Sequence, residues 1–326
     1  LLQRMISTYK TPADGSVIVD ASYGFDAAAI EAGAETLIIK SDPITFATAN
    51  AARYLVAVNA NDIACMGGVP RWMTVVGLLP EKTTTPESVE RLFADLRDAC
   101  TAEGIMLIGG HTEITIGLDR PILIGTLIGQ PGPTGLLKPG GASEGDELYL
   151  TKWIGLEGTA LIASELHESL HPDLGDEVLG RAAALLEKPG ISVTRDVRIA
   201  LETGVVTALH DPTEGGVATA VHEIAEASGL GVRIHADAIP ILPETHAITR
   251  QLRIDPLGLL SSGALLIAAR PGSDQVLAEA FASSGIPISR IGILTNSDDG
   301  LTIERNGAVD DLPRYDSDEL TRALTA

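Results

Sequence analysis

From Leu37 to Glu304, short apolar runs ending at Gly, Pro or acidic residues alternate with longer stretches that carry apolar residues at helical spacing. This alternation restricts the chain to layered mixed α/β (α+β) architectures, in which helices cover the faces of sheets. Leu37–Ile39 predicts a strand that runs into Lys40-Ser41-Asp42-Pro43. Residues 49–66 place Leu55, Val58, Ile63 and Met66 on a helix that ends at Gly67-Gly68. Trp72–Leu79 predicts a buried strand, and Thr85-Pro86-Glu87 predicts a helix start, with Thr as N-cap, Pro at the first helical position and an acid in the first turn. That helix is expected to run to Glu103 and stop at Gly104. Ile105–Ile108 follows as a strand, Gly109-Gly110-His111-Thr112-Glu113 as its loop, and Pro121–Ile128 as a further strand.

Glycine and proline at Pro131-Gly132-Pro133 and Pro139-Gly140-Gly141 then punctuate the chain and predict a domain boundary, giving domains 1–135 and 136–326. The second half reads as strands near 147–151, 205–209, 231–235, 263–269, 289–294 and 300–304. Helices are predicted around 157–169, 174–187, 194–203, 216–228, 244–252 and 274–284. Hydrophobic residues make up 45% of the chain and aromatics only 3%, so the core must be aliphatic. That composition argues against base stacking on single-stranded nucleic acid. A formal charge of −21 argues against phosphate backbones and anionic membrane surfaces as partners. No apolar run is long enough to span a bilayer, and Leu1-Leu2-Gln3-Arg4-Met5 has no secretion pattern, so a cytoplasmic location is expected. Cys65 and Cys100 form no CxxC pair and predict neither a zinc site nor a disulfide framework.

An acidic chain that handles polyphosphate needs a divalent metal between its carboxylates and the phosphates. Asp26, Asp42, Asp62, Glu113 and Asp211 stand at expected element ends beside small residues, where such ligands can converge. Each also reads as an ordinary turn former or cap. The most pointed segment is His210-Asp211-Pro212-Thr213-Glu214-Gly215-Gly216, which opens an apolar helix. Free N–H groups at such a start make an anion site, while Asp211 or Thr213 as N-cap is the plain reading. His210 is either a proton-transfer group or an ordinary hydrogen-bonded histidine. The glycines match neither GxGxxG nor GxxxxGK[ST].

Taken in order, Phe25-Asp26-Ala27-Ala28, Lys40-Ser41-Asp42, Asn61-Asp62-Ile63-Ala64-Cys65-Met66-Gly67, Gly109-Gly110-His111-Thr112 and His210–Gly216 resemble the AIR synthase-related superfamily, nearest its HypE-like branch. The resemblance implies an N-terminal four-stranded sheet that pairs with its twin into a dimeric eight-stranded barrel, followed by a C-terminal α/β domain. It implies a homodimer with ATP and magnesium in a cleft, and phosphorylation of a carbonyl, amide or carboxylate oxygen of a small molecule. It marks Asp26, Asp42, Asp62, Glu113 and Asp211 as candidate metal ligands. Asp26, Lys40, Asn61, Gly109, Gly110, Thr112, Thr213, Gly215 and Gly216 become candidate cofactor contacts, and His210 and Asp211 candidate catalytic groups. Asp62→Asn is then expected to weaken metal-dependent nucleotide binding with little loss of fold.

The sequence departs from the family pattern at three positions. Phe25 stands where an acid is common, His111 where the family has Asp, and Glu214 where the branch has Arg. The branch also ends in a cysteine that carries a carbamoyl group, whereas this sequence ends Leu324-Thr325-Ala326, so that reaction in its known form is not expected. These departures keep a second expectation open, a nucleotide-binding dimer that serves as a regulator or maturation scaffold.

Overall fold

A computed structural model describes residues 15–20, 25–45 and 50–325. Tyr23, Gly24 and Ala49, the first fourteen residues and Ala326 lie outside the described residues. The chain divides into two units, one reaching Leu136 and the other starting at Leu137, with Phe25 grouped with the second.

The first unit contains a six-stranded sheet with the order β1-β2-β3-β6-β4-β5. Its strands are β1 (Val17–Val19), β2 (Ala28–Ala32), β3 (Glu35–Ile44), β4 (Gly68–Pro80), β5 (Met106–Thr115) and β6 (Ile122–Pro131). The four strands β3-β6-β4-β5 are extended at the β3 side by β1 and β2, which sequence periodicity missed because they are three and five residues long. Helix α1 (Ala51–Cys65) packs on β3 and β6 and against α2 (Pro86–Ala102). Nearly all of α1 is buried, including Leu55 and Ile63. Each such aliphatic side chain contributes about 1.5–3 kcal/mol on leaving water. The start of α2 follows its sequence signal: Thr85 caps it, Thr85 Oγ1 accepts from Ser88 N at 3.2 Å, and Ser88 Oγ accepts from Thr85 N at 2.9 Å.

Two expectations for this unit are corrected. Asp42 does not follow a strand but lies inside β3, opposite Gly125 of β6. Gly109–Glu113 is not a loop, because β5 runs through it in parallel register with β4, pairing Val75 with Gly110. Gly110 has φ 148°, and a Cβ there would lie 1.8 Å from the Val75 carbonyl oxygen. Two glycines in a row read as a turn from sequence, but here the lack of a side chain is what lets the strands approach.

The second unit is built on a seven-stranded sheet with the order β13-β12-β9-β11-β7-β10-β8. Its strands are β7 (Glu147–Thr151), β8 (Val206–His210), β9 (Gly231–His235), β10 (Leu266–Ala269), β11 (Ile288–Thr295), β12 (Leu301–Arg305) and β13 (Ala308–Asp311). All neighbours are antiparallel except β12 and β9. The helices are α3 (Leu156–Glu165), α4 (His167–Ala183), α5 (Thr194–Glu202), α6 (Gly216–Ser228), α7 (Pro243–Leu252), α8 (Asp274–Ser284) and α9 (Glu319–Thr325). Leu148, Leu150, Val217, Val221, Ile291 and Leu294 belong to one aliphatic core between sheet and helices. The expected break near 170–173 falls elsewhere: α3 ends before Leu166, and α4 is interrupted at Gly175, which has φ 73° and ψ 163°. Among the described residues no helix is long and apolar enough to cross a membrane.

Candidate functional site

In the first unit, three expected site residues meet at one point. Lys40 Nζ lies 3.1 Å from Asp42 Oδ2 and 2.9 Å from Asp62 Oδ2. Strand β3 supplies Lys40 and Asp42, and α1 supplies Asp62 from a turn that is almost wholly buried. Burial works against the Lys40 charge, but the carboxylates of Asp62 and Asp42 outweigh it and hold the ammonium pKa above the usual lysine value. Pairing of β3 with β2 ends at Ile39, and beyond it the Asp42 N–H donates to Asn59 Oδ1 at 3.2 Å. Asn59 is fully buried and is itself pinned by a 2.8 Å bond from Nδ2 to the Leu55 carbonyl. Asn59 is not among the residues expected from motifs, although an amide in an Ala-rich buried helix is a detectable signal. Asp62 is only 4% exposed, so it is a buried partner rather than an acid on an open cleft wall. Asn61 beside it is fully buried, and Asp26 is half-buried directly ahead of β2.

The β5 residues do not join this cluster within one chain. Three strand steps separate β5 from β3, about 14 Å at the usual inter-strand spacing. Gly109, Gly110, His111, Thr112 and Glu113 are exposed, and His111 Nε2 stands 3.9 Å from Glu113 Oε2. Met106, Ile108 and Ile114 are also exposed along this edge strand. A cavity of about 450 Å³ between α2 and β5 is lined by Leu92, Phe93, Leu107 and Ile108 among others.

In the second unit, His210 ends β8 and is 5% exposed, with its Nε2 2.8 Å from Glu223 Oε2 on α6. This contact orients the imidazole and is compatible with either role of His210, proton transfer or plain hydrogen bonding. Asp211 is fully buried after it. Neither Asp211 nor Thr213 caps α6, a correction to the sequence reading: the N-cap is Gly215, at φ 76°, without a side-chain bond. The anion at this helix start is the chain's own Asp318. Its Oδ2 accepts from Gly215 N at 2.6 Å, and its Oδ1 accepts from Leu320 N at 2.7 Å and Leu260 N at 3.3 Å. Burial pushes the Asp318 carboxyl above its ordinary pKa despite these donors, with the Glu214 charge adding to the effect.

A further acid, Glu157, is 5% exposed in the first turn of α3. Burial pushes its carboxyl up to about 8, opposed by Ser262 and reinforced by Glu214, Asp318 and Asp211. It was legible as the lone acid in the apolar run Trp153–Ala163. Asp318 was not, since its partner Gly215 is remote in sequence. Glu157, Asp211, Asp318 and the exposed Glu214 thus form a cluster of acids near the start of α6.

Comparison with known proteins places the chain in a family. The carbamoyl dehydratase HypE of Escherichia coli is 29% identical over 241 residues, covering 73% of this chain and 68% of its own. The carbamoyl dehydratase HypE of Cupriavidus necator is 31% identical over 235 residues, covering 71% of this chain and 62% of its own, under two thirds of its length. The crystal structure of hydrogenase maturation protein HypE in complex with ATP matches the fold with a TM-score of 0.74 at 21% identity, over 98% of this chain and 96% of that one. Residues 24–130 match the model of the AIR synthase related protein N-terminal domain, and residues 143–304 that of its C-terminal domain. The chain therefore belongs to the AIR synthase-related family, close to HypE.

Proposed function

We propose that the chain binds ATP with magnesium and transfers a phosphoryl group to a carbonyl, amide or carboxylate oxygen of a small molecule. The observation that carries this reading is the Lys40 ammonium held between Asp42 and Asp62. The two carboxylates already accept a cation at one point, so the donor set suits a hard divalent ion. Asp42 and Asp62 would hold magnesium, while Asn59 fixes the strand position of Asp42. Bound magnesium–ATP supplies the transferable group and neutralises charge that develops on it. Lys40 is placed to take up an anionic oxygen once the carboxylates turn to a metal. His210, oriented by Glu223, and the adjoining Asp211 would be the groups to move a proton in the second unit. The HypE–ATP complex supports nucleotide binding as a family property.

The reading includes a homodimer. An exposed apolar edge strand is a ready surface for a second copy, and β5 with Met106, Ile108 and Ile114 is such an edge. Residues 1–135 then act as the ATP-binding and dimerising domain, with Gly109, Gly110, Thr112 and Glu113 facing the twin rather than the Lys40 cluster of their own chain. Asp318 favours a second reading, a nucleotide-binding regulator or maturation scaffold. It occupies the start of α6, where Thr213, Gly215 and Gly216 were candidate phosphate contacts. A phosphate-release screen across amides, carboxylates and carbamoyl compounds separates the two. Turnover that Asp42→Asn removes supports the enzyme, and ATP binding without turnover of any substrate supports the scaffold.

A further inference from the structure

Helix α4 opens with His167-Glu168-Ser169-Leu170-His171. Two histidines four apart share one helix face, and H-E-x-x-H is the spacing at which a helix presents two imidazoles to one zinc ion. Leu170 between them is 3% exposed and roots this turn in the protein, while both histidines face solvent.

A third ligand comes from the break in the helix. At about 100° per residue, Asp176 in an unbroken helix would point about 140° away from His171. Gly175 prevents that: its φ of 73° and ψ of 163° lie in a region open essentially to glycine alone. The chain turns there, and Asp176 Oδ1 comes to 3.5 Å from His167 Nε2 and 3.4 Å from His171 Nε2. One oxygen thus faces two nitrogens at distances longer than ordinary N–H···O hydrogen bonds. Ligand atoms bound at ~2.0–2.2 Å to one tetrahedral ion stand about 3.4 Å from each other. The neighbouring acids are engaged elsewhere, Asp173 with Gln251 at 2.6 Å and Glu177 with Arg181 at 2.7 Å. The imidazole rings lie 25° from parallel with centroids 5.9 Å apart. Their nitrogens must swing together to share an ion, and half-exposed side chains can do so at little cost.

We propose that His167, His171 and Asp176 form a binding site for a divalent transition-metal ion of the zinc class. Two imidazoles and one carboxylate suit zinc, with the fourth position left to water, and disfavour magnesium. A bound ion would tie the two halves of α4 together across Gly175, on a helix that packs against α3 and α7. The site lies wholly in the second unit and does not depend on the ATP reading.

The test is calorimetric titration of the untagged, chelator-treated full chain with zinc alone, beside His167→Ala, His171→Ala and Asp176→Asn. All three positions are exposed, so the variants are expected to fold, and circular dichroism checks this. The wild type should bind one zinc equivalent that both histidine variants lose or bind at least tenfold more weakly, with Asp176→Asn intermediate. Cobalt in place of zinc should give a visible absorption band in the wild type that His171→Ala lacks. Equal stoichiometry and affinity in the wild type and both histidine variants would overturn the site, as would a wild type that binds no zinc at micromolar concentration.

Discussion

The Asp318 carboxylate accepts the backbone N–H of Gly215 at 2.6 Å and so supplies the side-chain cap at the start of α6 that the N-cap glycine lacks. Asp318 also takes the Leu260 and Leu320 N–H groups, joining three segments of the second unit at one side chain. Asp318→Ala should lower stability by about 1–3 kcal/mol, the usual scale for losing a cap and stranding N–H donors. Urea denaturation of the two proteins measures it. A variant as stable as the wild type would show that water replaces the carboxylate at no cost.

Gly110→Ala should be severely destabilising. The new methyl group would meet the Val75 carbonyl at 1.8 Å, and φ 148° is strained for any other residue. A loss of about 2–5 kcal/mol is expected from overpacking and backbone strain together. Gly109→Ala has nothing within 4 Å of the added atom, though its φ of 159° also carries strain, so its loss should be smaller. The comparison separates a packing requirement from any role in ligand binding.

Stability should fall as pH rises from about 5 to 8, in part through Glu157. Its folded carboxyl lies at about 8 against an ordinary 4.5. Between those values the native chain holds a proton that the unfolded chain has released, so each step up in pH favours unfolding. Below the lower value the contribution is constant, and above the upper one the full penalty applies. Melting temperatures followed from pH 5 to 8 should therefore drop less steeply for Glu157→Gln than for the wild type. Parallel curves would show that Glu157 is ionised throughout.

Lys40→Met should remove a counter-charge from Asp42 and Asp62 and cost about 1–3 kcal/mol, on the scale for a partly buried pair losing one partner. Millimolar magnesium should restore part of the loss, read as a rise in melting temperature. Asp62→Asn should also lose stability, because Asp62 is buried rather than lining an open surface. No response of the Lys40→Met protein to magnesium would argue against a metal at these carboxylates.

The elements that were legible in the sequence are those whose signals are local. The Thr85 cap, the α6 and α8 helices and the strand β7 follow from capping chemistry and apolar runs. Residues 109–113 were misread because a glycine pair signals a turn, and only the β4 register reveals a strand. Lys40, Asp42 and Asp62 were all identified as candidates, but nothing local indicates that lysine would bridge the two acids. Asp318 was invisible for the same reason: a cap supplied from a distant segment leaves no pattern near the helix it serves.

Service of magnesium–ATP by the Lys40–Asp42–Asp62 cluster is open to a binding measurement. The experiment is isothermal titration of the purified chain with ATP, with and without millimolar magnesium, repeated on Asp42→Asn. Asp42 is the choice because it is more exposed than Asp62, so its loss should spare the fold. Binding should be saturable, need magnesium and weaken at least tenfold in Asp42→Asn. No binding at millimolar magnesium, or equal binding by the variant, would rule out this cluster as the magnesium–ATP site.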